Sequence, residues 1–135
     1  MIKLISGSEY TTRAHTIPFI KEQSLASHMG RSAMLLILFY RKGKLALDKR
    51  NYYRVLEYLI LHDLHESDFG DIPYTTKLEC NLHDKECEAI NSVLQSLNLK
   101  DLPERLKKIA DWFDLLEFYL KTCEEVQLGN RTSKC

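Results

Sequence analysis

The sequence predicts an all-α fold, a single-domain bundle of about four to six helices. Apolar residues recur every three or four positions over four long segments. No segment shows the sustained apolar–polar alternation of a half-buried strand, and the three prolines lie outside the strong helical periodicities. The chain has 135 residues, the length of one domain. We therefore expect a single domain over 1–135, with a core of about 13–130 and a frayed tail at 131–135.

The first two predicted helices are separated by a clear stop signal. The first covers about 24–40, and Gly43 in "YRKGK" follows it. The second covers about 49–65, with an apolar face of tyrosine, valine, leucine and isoleucine side chains. Residues 67–77 contain a glycine and a proline, so they are predicted to form a loop.

The last two predicted helices differ in polarity. The third, more polar, covers about 82–97. The fourth begins near Asp101, a candidate N-cap that is followed two residues later by a proline suited to a first turn. It continues to about Gln127, where Gly129 and the following asparagine can end it.

The charge balance excludes some classes of partner. Nineteen basic residues offset nineteen acidic ones, which argues against general affinity for a nucleic acid polymer or an anionic membrane. The longest apolar run, 33–40, is too short to cross a bilayer, and the N-terminus lacks the apolar core of a signal peptide. We therefore expect a cytoplasmic protein that binds no membrane, with its four widely spaced cysteines as reduced thiols. The alternative is a metal or disulfide pair of Cys80 and Cys87.

Several ionisable residues fall on the predicted inward faces of helices. His28 lies within the apolar stripe of the first helix, and the second helix extends its stripe through His62, Asp63 and Glu66. On the fourth helix, Asp111 lies one turn from a leucine and two turns from a phenylalanine. Two neutral imidazoles and two carboxylates suit a divalent cation. The alternative is that each is a hydrogen-bonded core residue or a cap.

These residues, in this order, resemble the H…HD…D signature of the HD-domain metal-dependent phosphohydrolases. The likeness is greater to the 5′-deoxynucleotidase-like branch, because "HDLHESDFGDIP" follows its HD-x-x-E and GD-[LI]-P pattern. The segment "RAHTIP" is similar to the arginine-containing run that opens that branch, and "KIADWFDLLEFYLKTCEEVQLGN" is similar to its last motif. The resemblance covers about residues 13–130.

The resemblance implies a role for each matched residue. One divalent ion (Co, Mn, Zn or Mg) would be held by four side chains, those of His28, His62, Asp63 and Asp111. Glu66 would position or deprotonate the attacking water, and Asp71 would assist the reacting phosphate. Arg13 would grip the phosphate, which suits its planar guanidinium. Lys77 would add positive charge.

The resemblance also implies the substrate class. The expected reaction is removal of phosphate from 5′-(deoxy)nucleoside monophosphates by a protein that forms a homo-oligomer, a dimer or higher. Ala14 stands where the family has a tryptophan that lines the nucleoside pocket, and Ser27 stands where a glutamate is frequent. The substitution at Ala14 leaves a deoxynucleoside triphosphate hydrolase, acting for example on dATP, as the alternative. A non-catalytic nucleotide-binding module is a third interpretation.

Overall fold

The computed structural model of the chain describes residues 2–14, 17–70, 76, 83–97, 99 and 101–131. Within them lie six helices and, outside the helices, one isolated antiparallel bridge between Thr12 and Ser24. The protein is an all-α bundle, as predicted. Its helices are α1 (Ile2–Ser8), α2 (Leu25–Arg41), α3 (Lys49–Leu61), α4 (Glu66–Phe69), α5 (His83–Ser96) and α6 (Glu104–Gln127).

The caps explain where the long helices begin and end. The Ser24 hydroxyl accepts a hydrogen bond from a backbone N–H in the first turn of α2, and the Asp48 carboxylate does the same for α3. Helix α6 begins after Pro103 rather than at the predicted Asp101. Gly43 and Gly129 follow α2 and α6 with φ of 63° and 91°, the left-handed conformation that favours glycine after a helix. The four predicted helices are thus confirmed, with small shifts at their ends.

Helix α3 ends earlier than predicted, at Leu61 rather than 65. The next residues form turns, in which the N–H of Leu64 donates to the carbonyl of Leu61 and that of Glu66 to the carbonyl of Asp63. The His65 ring also contacts the carbonyl of His62 through Nδ1, at 2.8 Å. These local bonds replace the helical pattern and leave His62 and Asp63 on a tight turn.

Two short helices were not predicted. Helix α4 occupies part of the predicted loop, and α1 is too short to show a helical period. The two helices pack closely, because a Cβ at Gly7 would lie 3.2 Å from the Cβ of Ser67. Gly7 therefore permits the approach of α1 to α4.

The apolar core consists of two clusters, each of which includes part of α2. The first joins the second half of α2 to α3 and α6, through Leu36, Tyr52, Val55, Leu59, Leu106, Ala110 and Phe113. The second joins the first half of α2 to α5 and the turn after α3, through Leu25, Met29, Leu64 and Val93. His28 lies on α2 next to Met29 of the second cluster, and His62 and Asp63 lie along the chain between Leu59 of the first cluster and Leu64 of the second.

In the part of the chain that the structure describes, no helix is both long enough and apolar enough to cross a membrane. Cys123, partly buried on α6, is a reduced cysteine, in line with the prediction. The side chains of the other three cysteines lie outside the described residues.

Candidate metal centre

Four ionisable side chains from three parts of the fold converge at one point. His28 comes from α2, His62 and Asp63 from the turn after α3, and Asp114 from α6. One ligand atom from each residue lies within 4.8 Å of the others. His28 is fully buried and Asp63 is 7% exposed, so the cluster faces the interior.

Both imidazole rings are oriented through their Nδ1 atoms. His28 Nδ1 is 2.6 Å from a carboxylate oxygen of Glu117, and His62 Nδ1 is 3.3 Å from the carbonyl oxygen of Leu59. With Nδ1–H donating to these oxygens, the Nε2 atoms are the ones that can bind a cation. The Nε2 atoms point to the carboxylates: that of His28 lies 2.5 Å from Asp114 Oδ1, and that of His62 lies 3.1 Å from Asp63 Oδ1.

Arg13 contacts both carboxylates of the cluster. Its Nη1 lies 2.5 Å from Asp63 Oδ2 and its Nη2 lies 3.3 Å from Asp114 Oδ2. The Oδ1 atoms of the same two residues face the imidazoles. Each carboxylate therefore offers one oxygen to the histidines and the other to the guanidinium, which fixes the orientation of both carboxylates.

The carboxylates and imidazoles shift one another's pKa values. Burial opposes the charged form of His62, but Asp63 and Asp114 outweigh it and raise the pKa of His62 to about 9. The pKa of His28 is also raised, because hydrogen bonds to Asp114 and Glu117 outweigh burial. Burial opposes ionisation of Asp114 too, yet its bonds with the histidines hold its pKa well below the usual range. The site thus attracts positive charge to two ionised carboxylates.

The donor set fits a divalent metal ion. Imidazole nitrogens and carboxylate oxygens are the ligands that first-row divalent ions share, and two carboxylates neutralise the charge of the ion. The hydrogen bond between Nδ1 of His28 and Glu117 is the carboxylate–histidine pairing that commonly supports a ligating imidazole. His28, His62, Asp63 and Asp114 would hold the ion.

The predicted fourth ligand, Asp111, does not reach this cluster, and the structure places Asp114 there instead. The prediction took Leu115 as part of the inward face, but Leu115 is 65% exposed, and Asp111 is exposed as well. The buried face of α6 runs through Ala110 and Phe113. Asp114 lies one turn after Ala110 and next to Phe113, so it points inward.

Glu117 is a further site residue that the sequence analysis missed. It is fully buried, and its second carboxylate oxygen accepts a hydrogen bond from Gln23 Nε2 at 2.8 Å and lies 2.8 Å from Arg31 Nε. These contacts fix the carboxylate that orients His28. The signal was present in "DLLE", since Asp114 and Glu117 are three residues apart and share a face with Ala110.

The other predicted site residues are placed as follows. Arg13 lies at the centre, and the adjacent Ala14 has a positive φ of 52°, unusual for a residue with a Cβ. Glu66 is 4% exposed at the start of α4 and is not part of the four-residue cluster. Asp71 and Lys77 lie outside the described residues.

Comparisons with known proteins found similarities in sequence and in fold. A family model described as an HD domain matches residues 10–133. The fold resembles the solved structure of a conserved hypothetical protein from Pyrococcus furiosus, with a TM-score of 0.75 and 21% identity, covering 96% of this chain and 85% of that one. At that identity the likeness shows the fold alone. No curated protein matches the chain.

Proposed function

Since the chain belongs to the HD-domain family of metal-dependent phosphohydrolases, we propose that it removes phosphate from 5′-(deoxy)nucleoside monophosphates at the candidate centre. One observation carries the proposal: two imidazole Nε2 atoms and two carboxylates converge within 4.8 Å, with a guanidinium on the same carboxylates. A candidate cation site thus lies beside a side chain suited to bidentate contact with phosphate.

The residues divide the reaction between them. A divalent ion, when bound, supplies Lewis acidity toward the phosphoryl group and the attacking water. Arg13 presents a planar set of N–H donors that can stabilise negative charge developing on the phosphate. The Glu66 carboxylate would accept a proton from the attacking water while the water oxygen forms a bond to phosphorus. The bond between phosphorus and the 5′-oxygen then breaks, and Asp71 would supply the proton that this oxygen takes up.

A second candidate is hydrolysis of a deoxynucleoside triphosphate such as dATP. Ala14 favours it, because a methyl group stands directly after Arg13 where the related branch carries a tryptophan. A smaller side chain there would change how the nucleoside and a longer phosphate chain are seated. The non-catalytic interpretation has less support, since Arg13 lies at the cluster and Glu66 is buried in the adjacent helix.

A nucleotide screen tests the proposal. The purified protein is supplied with Co²⁺, Mn²⁺, Zn²⁺ or Mg²⁺ and each common 5′-nucleotide, and the products are separated. We expect orthophosphate and nucleoside from monophosphates, whereas tripolyphosphate from a triphosphate would support the second candidate. Asp63→Asn should lose the activity. Absence of phosphate products with every metal, or full activity in Asp63→Asn, would contradict the proposal.

The role of Glu66 is tested by Glu66→Gln. Because Glu66 is outside the four-residue cluster, the variant should keep its metal content but lose turnover by about 10²- to 10⁴-fold, the usual contribution of a general base. Glu57→Gln is a matched control, since Glu57 is an exposed glutamate on α3. Loss of metal from Glu66→Gln would make Glu66 a ligand, and full activity would remove it from the mechanism.

A further inference from the structure

Helix α6 changes character along its buried face. Its first half contributes apolar side chains to the core, whereas its last three turns bury Glu117, Lys121 and Glu125. Lys121 is 3% exposed and Glu125 is fully buried. Buried charges are costly unless they are paired and hydrogen-bonded. Lys121 and Glu125 lie two or more turns beyond Asp114 and take no part in the mechanism above, so their burial needs another explanation.

Glu125 accepts hydrogen bonds from four donors. Its Oε2 accepts from the backbone N–H of Ile20 at 2.5 Å, and its Oε1 accepts from that of Lys21 at 3.1 Å. The ammonium of Lys121 lies 2.7 Å from Oε1, and the Asn130 side-chain amide lies 3.1 Å from Oε2. The carboxylate therefore joins the end of α6 to a segment more than one hundred residues earlier in the sequence.

Lys121 and Asn130 bind the same segment through its carbonyls. The Lys121 ammonium donates to the carbonyl of Lys21 at 2.5 Å, and the Asn130 amide donates to that of Pro18 at 2.7 Å. The ring of Phe19 lies between them in sequence, with the Lys121 ammonium 5.1 Å from its centroid. We call Lys121, Glu125 and Asn130 the clasp.

The segment held by the clasp leads back to the candidate centre. We call residues 11–14 and 17–25 the N-terminal arm. Its two sides are paired, because the N–H of Arg13 donates to the carbonyl of Gln23 at 2.9 Å and that of Leu25 to the carbonyl of Thr11 at 2.8 Å. The Gln23 side chain donates to Glu117, and the Arg13 side chain contacts Asp63 and Asp114. The arm is thus anchored to α6 at the clasp, at Glu117 and at the centre.

We propose that Glu125 is a positioning residue for the proposed reaction: the clasp fixes the N-terminal arm on α6 and so holds Arg13 where it can contact the substrate phosphate. Glu125 touches neither the centre nor the substrate and acts through Arg13. The inference rests on the proposed function for its effect on turnover, but the mechanical link between the clasp and Arg13 can be measured without turnover.

The first test measures that link by amide hydrogen exchange in Glu125→Gln. Glutamine keeps the shape of the side chain but replaces one acceptor oxygen with an NH₂ group, which cannot accept from the arm or from Lys121. We expect exchange to accelerate about tenfold or more at Ile20, Lys21 and the N–H of Arg13. Glu104→Gln, at an exposed glutamate of the same helix, should leave these rates unchanged. Unchanged exchange at Arg13 would overturn the proposal.

The second test is a double-mutant cycle on kcat/KM for the best nucleotide, using Glu125→Gln and Arg13→Ala. Glu125→Gln should lower kcat/KM about tenfold at unchanged metal content, and should cause no further loss once Arg13 is alanine. Independent, additive losses would show a general structural effect and overturn the proposal. If the wild-type protein turns over no nucleotide, the proposed function fails, and exchange at Arg13 still decides the positional link.

A milder variant covers the case in which Glu125→Gln does not fold. Asn130→Ala removes the hydrogen bonds to Pro18 and to one oxygen of Glu125, and it leaves the Glu125 carboxylate in place. It should produce the same pattern to a smaller extent, with faster exchange at Arg13 and an effect on kcat/KM that vanishes in the Arg13→Ala background. Faster exchange confined to Ile20 and Lys21 would again count against the link.

Discussion

Asp114 contacts three other residues of the candidate centre. Its Oδ1 lies 2.5 Å from His28 Nε2 and 3.5 Å from His62 Nε2, while its Oδ2 lies 3.3 Å from Arg13. The side chain therefore contacts both imidazoles and the guanidinium. Asp111, one turn earlier on the same helix, is exposed and belongs to no such group. The two aspartates form a natural matched pair.

We predict that Asp114→Asn lowers metal affinity by more than about 100-fold, because it removes a candidate ligand, and losing even a residue that only supports a ligand commonly costs 10- to 100-fold. Asp111→Asn, with the same chemical change on the exposed side of α6, should bind metal as the wild type does. The measurement is metal content after loading and gel filtration, followed by titration with Co²⁺. Equal affinity in both variants would remove Asp114 from the centre.

At the residue scale, the apolar periods of the first two predicted helices could show that His28, His62 and Asp63 face inward, and their role as metal ligands stays a prediction. The fourth ligand was predicted at Asp111 instead of Asp114, because residues 110–113 and residues 115–118 of α6 both include apolar side chains. Periodicity alone does not say which of these two sets of apolar residues faces the core. Only the packing of Phe113 against the other helices settles the rotation of α6 and brings Asp114 to the centre.

At the scale of the element, α6 combines core packing, a candidate ligand and two residues of the clasp, Lys121 and Glu125. The charged half is stable because each buried group is paired. Burial alone would raise the pKa of Glu125, but hydrogen bonds from Lys121, Asn130 and the arm outweigh it and hold the pKa at about 2. Since the ordinary value is 4.5, the folded state favours the ionised form.

This shift predicts the acid response of the protein. A depressed folded-state pKa contributes stability that is fully present above pH 4.5 and is lost as the pH falls through about 2. Glutamine has no such proton, so the difference in unfolding free energy between the wild type and Glu125→Gln should be greatest near neutral pH and shrink below pH 4.5. Urea denaturation over this range measures it. A difference independent of pH would contradict the assigned hydrogen bonds.

The helices themselves were largely predictable, and their ends less so. Ser24 and Gly43 bound α2 as expected, because local capping chemistry decides those ends. The early end of α3 could not be predicted from the sequence, since residues 62–65 are compatible with a helix. The helix ends there because these residues form the hydrogen bonds of turns instead. Helix α1 was not predicted because its seven residues form only about two helical turns, which is too short for a repeating apolar pattern. Its packing against α4 is a tertiary contact, which the sequence does not show.

At the scale of the whole molecule, the candidate centre joins parts of the chain that are distant in sequence. Its four residues come from α2, the turn after α3, and α6. The single-domain bundle could be predicted from composition and period, whereas the meeting of these parts required the resemblance to a family. Formation of a homo-oligomer stays a prediction.

Because the ligands come together only in the folded state, metal binding should stabilise the whole protein. At an ion concentration of about 100 times Kd, the gain is about 2.7 kcal/mol. For a domain of this size, that corresponds to a rise in Tm of about 10 °C. Thermal unfolding with and without Co²⁺ measures it, and a chelator should reverse it. Asp114→Asn should show a much smaller increase, since the ion then stabilises it by about 0.4 kcal/mol or less, and an increase equal to that of the wild type would indicate binding elsewhere.

The charged face of α6 also limits where the chain can tolerate the insertion of a residue. Asp114, Glu117, Lys121 and Glu125 follow one another at helical spacing, so an insertion of one residue turns everything beyond it by about 100°. An insertion between 114 and 125 would separate the clasp from the centre, and one just before Asp114 would turn both away from the core. A scan of single-residue insertions should therefore recover folded, metal-binding protein from insertions after 130 and lose it from insertions within 106–125.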